Sequence, residues 1–430
     1  MRFSTGVSGA APRIGLISEV AANFGDFQTP NCLLYTKFGA VPFLTNDIVR
    51  QIDGLPRITF ASLSFLREKH IVHTSFGKGL AKLSGLREFP VFLFQSDPTD
   101  FPVTRAVERS SISIWAVGGR LPVTMPQYAQ CVVNALPAAF QLPVDNETSF
   151  RDVCAPGKKR CQKSVERTLG YASEIEKLRS SDEVLAGIPM LFSVTGGNDL
   201  DQRLRGLAKT DFSKASGVVL DGFFLDCIDE SNQPMDRRPH LDCMFEVLPK
   251  LCLQLPSHLP RILTNIWQPD EVARAVTCGV DIFDGTLPFR LSRSGLAWLY
   301  PGWTPHSAAS TTSRQTPFPS WIAFPLDKEL LKGSSGSVFN QPLQEGCSCF
   351  TCQRHNRGYI SHLHSVNEML AHILLMIHNS TRCYRFFSDL RAAVKNDQME
   401  DFLEFCKGHH FPEQIVRVDL TANSMQCDDS

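Results

Sequence analysis

A chain of 430 residues, 43% hydrophobic and 20% charged, has the composition of a folded globular protein long enough for one large α/β barrel or two domains. Its formal net charge of -1 excludes a surface that is basic overall, so any nucleic-acid contact must come from a local patch or be shared with a partner. The best apolar run, residues 373–377, is far short of the roughly 20 residues that span a bilayer.

In chain order, residues 1–9 are Ser/Gly-rich and lack the apolar stretch of a secretion signal. Arg2 and Arg13 precede the first acid, Glu19, which is only a weak mitochondrial-type pattern. Short apolar runs at 32–35, 91–94 and 112–117 fit strands. From residue 138 the pattern becomes regular. Strands are expected at 138–145, 188–195, 217–223, 261–266 and 281–286. Helices are expected between them at 164–179, 200–208, 240–255 (with a kink at Pro249) and from Pro269 to about 279.

Strand-then-helix units in series imply parallel strands, either in a doubly wound sheet or in a (β/α)8 barrel. No Gly-x-Gly-x-x-Gly follows a strand, which argues against a dinucleotide-binding sheet. The expected fold is therefore an α/β (β/α)8 TIM-type barrel. Barrel chemistry sits in the loops at the C-terminal strand ends, and that rule nominates Asp145, Thr195, Gly222 and Asp284. An acid at such a place is also a common turn residue, so position alone decides nothing. The implied organisation is a barrel body over 1–300, an insertion over 301–345 and a metal-binding subdomain with closing helices over 346–400. A tail follows over 401–430. The insertion is Ser/Thr-rich at 307–316 and Gly/Ser-rich at 332–337, which reads as a partly mobile surface segment.

Most of the cysteines, such as Cys32, Cys131, Cys243, Cys252 and Cys278, are scattered among apolar residues and read as small buried hydrophobes. Cys347, Cys349 and Cys352 are different, because they crowd into six positions. Three thiolates and one imidazole make a closed tetrahedral site of the structural zinc type. The fourth ligand is to be sought among His355, His362, His364, His372 and His378. His355 is too close in sequence to swing round, and the helix expected over 359–378 would return His378 to the cysteine loop.

The run Cys347-Ser-Cys-Phe-Thr-Cys352, with His378-Asn379 beginning 26 positions after Cys352, resembles the zinc subdomain of the tRNA-guanine transglycosylases. Upstream, Gly279-Val-Asp-Ile-Phe-Asp284-Gly-Thr-Leu-Pro288-Phe-Arg290-Leu-Ser-Arg293-Ser-Gly295 is similar to the segment holding that family's nucleophilic aspartate. Gln28-Thr-Pro30 followed by Gly39-Ala-Val-Pro-Phe-Leu44 is a weaker third match. The resemblance implies a barrel with a zinc subdomain near its end, and it selects His378 as the fourth ligand. It also implies base exchange at the wobble guanosine of tRNA through a covalent ribosyl intermediate, with Asp284 in the nucleophile's position and Arg290 and Arg293 near phosphates.

The sequence departs from the active pattern in several places. There is no Asp-Ser-Gly-Gly, whose Asp is the family's acid/base group; the nearest stretch is Trp115-Ala-Val-Gly-Gly-Arg-Leu-Pro122. Thr195 stands where active members carry Gln, and Gly285 and Phe289 stand where they carry Cys and Thr. Asp145 is only a loose match to a purine-reading Asp. These departures imply a non-catalytic member of the eukaryotic, queuine-inserting branch. Such a member would be paired with a catalytic homologue as a heterodimer on tRNA, in the cytoplasm and peripheral to the outer mitochondrial membrane. The alternative is an active transglycosylase using Asp284. Lys158, Lys159 and Arg160 form a basic loop that is either solvated surface or a phosphate contact.

Overall fold

The computed structural model describes residues 1–6, 11–21, 24–68, 70–100, 110–116, 119–146, 157–223, 238–304, 324–325, 339–407 and 411. The Ser/Thr-rich and Gly/Ser-rich stretches expected as an insertion lie outside the described residues.

A three-stranded antiparallel sheet comes first: β1 (Arg2–Thr5), β2 (Gly15–Ser18) and β3 (Phe27–Thr29). The barrel begins with β4 (Asn31–Cys32) and β5 (Leu34–Tyr35), two halves of one strand interrupted at Leu33. It continues through β6 (Thr59–Ser62), β7 (Val91–Phe94), β10 (Ala139–Gln141), β11 (Met190–Val194), β12 (Ala215–Leu220), β13 (Arg261–Leu263) and β14 (Ile282–Phe283). Between β7 and β10 the chain makes an excursion through β8 (Ser111–Ala116) and β9 (Gly119–Thr124). β14 pairs with β4 and β5 pairs with β6, all in parallel, so the broken first strand closes a ring of eight. Leu33 N–H donates to Phe283 O at 2.8 Å and Leu34 N–H to Ile58 O at 2.8 Å, one half-strand serving each neighbour. The expected barrel is what the chain forms. Its strands read as unbroken apolar runs because both faces are covered; every residue of β7 is buried.

The helices named below are α1 (Leu63–Glu68), α2 (Met125–Ala135), α3 (Lys158–Arg179), α4 (Leu200–Leu207), α5 (Arg238–Gln254), α6 (Pro269–Thr277) and α7 (Leu287–Arg293). After them come β15 (Leu296–Ala297), β16 (Phe324–Pro325), α8 (Phe350–Arg354), α9 (Arg357–Ser365), α10 (Met369–Lys395) and α11 (Met399–Cys406). α3 begins six residues before the expected start, and α5 carries Pro249 inside it.

Two expectations change. The helix expected over 359–378 is two helices, α9 and α10, and His378 lies inside α10 rather than at an end. The expected tail starts later than 401. Phe402 and Cys406 of α11 are buried in the main core, and Phe411 packs against Trp267 and Trp298.

The N-terminal sheet is tied to the barrel by a buried ion pair. Arg13 Nε and Nη2 donate to the two oxygens of Asp281 at 2.8 and 2.5 Å, and both side chains are fully buried. Arg13 also donates to the carbonyls of Ser257 and Leu259, and Arg261 N–H donates to Asp281 Oδ2.

Candidate functional site

The cysteine cluster is built by a helix start. Cys349 is the N-cap of α8, and its sulfur accepts from Cys352 N–H at 3.4 Å. This turn puts two sulfurs of a Cys-x-x-Cys on one side, and the loop through Gly346 brings Cys347 beside them. α10 supplies the fourth group. Its His378 Nδ1 lies 3.8, 3.6 and 3.3 Å from the sulfurs of Cys347, Cys349 and Cys352. The four ligand atoms lie within 4.8 Å of one another, and the group could hold a metal ion. Cys347, Cys349 and His378 are buried and Cys352 is partly so.

The surroundings orient the imidazole. His378 Nε2–H donates to Trp298 O at 2.9 Å, which leaves the Nδ1 lone pair facing the sulfurs. The next residue, Asn379, accepts from Trp298 N–H at 2.8 Å, so the His-Asn pair grips both sides of one backbone residue. Thr351 Oγ1 donates to Leu374 O, fastening α8 to α10 one turn before His378. Arg382 Nη2 donates to Cys347 Sγ at 3.1 Å, as suits a thiolate. Burial alone would lower the pKa of His378, but its hydrogen bonds with Cys347 and Cys349 and their charge push it up to about 9.

The strand-end residues lie at the barrel mouth, and each is already engaged. Asp284 has no exposed surface. One oxygen accepts from Thr286 N–H at 2.9 Å and Thr286 Oγ1 at 2.8 Å; the other accepts from Asn265 N–H at 2.7 Å. Burial pushes its carboxyl above the usual range, against the hydrogen bonds from Thr286 and the charge of Arg290. A cavity beside it, lined in part by Trp267, Thr286 and Cys383, measures about 10 Å³, room for about one water. At Gly285, φ is +73°, and an added Cβ would lie 2.0 Å from Leu33 O. The cysteine that active members carry there is therefore incompatible with this backbone.

Asp145 is gripped by two arginines. Arg160 donates to both oxygens at 2.5 and 2.9 Å, and Arg167 adds a third bond at 3.1 Å. The acid is 1% exposed and has no free edge to read a purine. Thr195 turns its hydroxyl to Ser164 Oγ at 3.1 Å and Asp145 O at 3.4 Å. Fully buried Arg203 binds the carbonyls of Gly197, Val194 and Asp221 and lies over the Phe223 ring at 3.6 Å, plugging the ends of β11 and β12.

Arg290 requires a correction. The resemblance suggested a phosphate contact, yet its side chain is fully buried. Its Nη2 donates to Pro98 O at 2.6 Å and its Nε to Thr286 Oγ1 at 3.2 Å, so it staples the loop after β7 to the loop after β14. Of the two arginines, Arg293, which is partly exposed, keeps access to solvent.

The stretch Trp115–Pro122 offers no substitute for the missing acid. Its described residues, 115–116 and 119–122, belong to the antiparallel strands β8 and β9, in line with the strand expected over 112–117. The residues that follow β7 at the mouth are Gln95, Asp97 and Asp100, which the strand-end rule did not nominate because β7 was read only as a short apolar run. Gln95 exchanges hydrogen bonds with the Val144 backbone, and Asp97 accepts from Tyr35 Oη and from Thr99. Burial and the charge of Asp97 push Asp100 up to about 6, while Lys37 Nζ holds it at 3.1 Å. Their spacing after an apolar strand was the signal that could have found them.

The fold and site define a (β/α)8 barrel whose C-terminal helices carry a buried Cys3His group. The family model described as queuine tRNA-ribosyltransferase matches residues 9–411, and the chain belongs to that tRNA-guanine transglycosylase family. It is 30% identical to the queuine tRNA-ribosyltransferase accessory subunit 2 of Xenopus tropicalis, over 95% of this chain and 99% of the relative. The proteins of that name from Danio rerio and Homo sapiens are each 30% identical over 91% of this chain, and over 94% and 95% of their own length.

Proposed function

We propose that this chain is the non-catalytic subunit of a eukaryotic queuine tRNA-ribosyltransferase. It would support exchange of guanine for queuine at the wobble position of the tRNAs for Asp, Asn, His and Tyr, bound to a catalytic homologue. The observation that carries this reading is the state of Asp284. A nucleophile must reach the ribose carbon, and this carboxylate has no exposed surface and accepts hydrogen bonds from three donors. The arginines on Asp145 and the plug formed by Arg203 point the same way. The names of the relatives support the partner and the tRNA.

The purified chain alone is expected to incorporate no labelled queuine into tRNA. In the assembled heterodimer, Asp284→Asn and Asp284→Ala should leave turnover within a few-fold of normal. Asp284→Ala should cost about 2 kcal/mol of stability by stranding buried donors. Exchange by the chain alone, or loss of turnover from Asp284→Asn in an intact assembly, would establish the active reading instead.

Zinc is the proposed ion. Bonds of about 2.3 Å to sulfur and 2.0–2.1 Å to nitrogen around a tetrahedral centre separate sulfur from nitrogen by about 3.6 Å. The observed 3.3–3.8 Å agrees with that spacing, and four protein ligands leave no open position for chemistry. The ion would cross-link the cysteine loop to α10.

An apolar patch on the same subdomain supports a docked partner. Phe350, Tyr359, Val366, Met369 and Leu370 are exposed, and His355 stacks on Tyr359 with ring centroids 5.5 Å apart. Tyr359→Asp should weaken assembly with the catalytic homologue at least tenfold, by burying a charge in place of an aromatic anchor, and leave the metal content at one per chain. Sedimentation of the mixed subunits with metal analysis checks both; unchanged assembly removes this surface from the interface.

The location in the cytoplasm, peripheral to the outer mitochondrial membrane, rests on the family resemblance. Among the described residues no helix is long and apolar enough to cross a membrane. Fractionation of cells tests the assignment.

A further inference from the structure

Arg290 is buried, and the barrel mouth carries a further group of cations besides the partly exposed Arg293. α3 starts at the C-terminal end of the barrel, beyond the loop that follows β10, and its first six residues include Lys158, Lys159, Arg160 and Lys163. Its first turn contains no acid, and its N-cap, Gly157, makes no side-chain cap. This arrangement opposes the positive end of the helix dipole, where acids are favoured, so helix stability does not explain it.

The cations divide into two sets. Arg160 and Arg167 are turned inward onto Asp145, which fixes the helix start against the barrel. Lys158, Lys159 and Lys163 are exposed, and none makes an ion pair among the described residues. Lys159 and Lys163 are four residues apart and share one face of the helix. Glu166, three residues beyond Lys163, accepts from Gln162 at 2.8 Å. Three ammonium groups without an ion-pair partner among the described residues are therefore held on a rigid, anchored turn at the rim of the mouth where a family substrate approaches.

We propose that Lys158, Lys159 and Lys163 form a phosphate-contacting ridge for the backbone of tRNA, outside the barrel pocket. The proposal rests on the accessory-subunit reading above and deepens it. Flexible ammonium groups on a helix face neutralise phosphates without reading bases, so the ridge would contribute affinity and orientation and leave sequence choice to the catalytic partner.

The test uses the full chain assembled with a catalytic homologue and an unmodified tRNA transcript, with affinity measured at several salt concentrations. Replacing all three lysines by glutamine should lower affinity about tenfold or more at moderate salt. It should also reduce the slope of log K against log salt by about 0.7–0.9 for each phosphate no longer neutralised. Arginine at the same positions should restore the slope. Lys78→Gln, Lys82→Gln and Lys209→Gln together remove three exposed charges elsewhere and should leave it unchanged. A wild-type slope in the ridge variant overturns the proposal, as does an equal reduction in the control variant, which would mean that net charge alone acts. A wild-type assembly that binds no tRNA overturns the accessory-subunit reading itself. Melting curves that match wild type exclude misfolding, since all three side chains point to solvent.

Discussion

Replacing Cys349 by serine should release the metal and detach the segment around residues 346–365 from the barrel. Cys349 contributes both a sulfur to the ligand set and the N-cap of α8, so its loss opens the cluster and the helix start together. Besides the cluster, the segment is fastened by the Thr351–Leu374 hydrogen bond and by limited apolar packing. The separate small core beneath it comprises Ala297, Leu343, Ile360, Leu363, Ala371, Leu374 and Leu375. Binding of a structural zinc is worth about 10–16 kcal/mol in zinc-finger peptides, far more than so small a core can supply. The barrel, with its own large core, should remain folded. The expected results are metal content falling from one ion per chain to none, rapid proteolysis confined to α8 and α9, and an early melting transition ahead of the main one. Cys243→Ser, elsewhere in the fold, should change none of these. Metal-free wild-type protein, or a Cys349→Ser chain as protease-resistant as wild type, would remove the structural role assigned to the ion.

The second large effect is expected at Asp281. Removing this carboxylate leaves the fully buried Arg13 guanidinium without its counter-charge and the Arg261 N–H without its acceptor. Breaking one side of a buried pair costs about 3–5 kcal/mol, so Asp281→Ala should lower the unfolding free energy by that amount. The sheet β1–β3 would loosen first, because Arg13 is its charged link to the loop at Ser257 and Leu259. Removing both charges, with Arg13→Met and Asp281→Leu, should cost less than Asp281→Ala alone, since no uncompensated ion is left buried. Denaturant titration of wild type and the two variants checks the order. A double variant less stable than Asp281→Ala would mean that the pair contributes net stability beyond mutual compensation.

The barrel and the cysteine cluster were legible in the sequence for related reasons. Parallel strands covered on both faces become continuous apolar runs such as Val91–Phe94, and the helices between them show their own period. Cys347, Cys349 and Cys352 were legible because a helix N-cap turn brings residues three apart together, an entirely local geometry. The antiparallel β1–β3 was missed because strands of three or four residues carry too few side chains to show alternation.

What composition and spacing could not provide was depth. Arg290, Arg203 and Arg160 look like surface cations in sequence, yet they are turned inward: Arg203 onto strand-end carbonyls and Arg160 onto Asp145 through the packing of a helix on its own strand end, and Arg290 onto Pro98 O, a partner 192 residues away that ring closure brings near. The state of Asp284 follows from the same cause. Its neighbours in sequence match an active site, but the donors that consume its carboxylate include Asn265 on the adjacent strand end, and the carbonyl of Leu33 closes over Gly285. Short-range periodicity and spacing therefore determined the elements and the three clustered cysteines. The pairing of distant strands decided which charges face water, because burial depends on what the rest of the chain places over a residue.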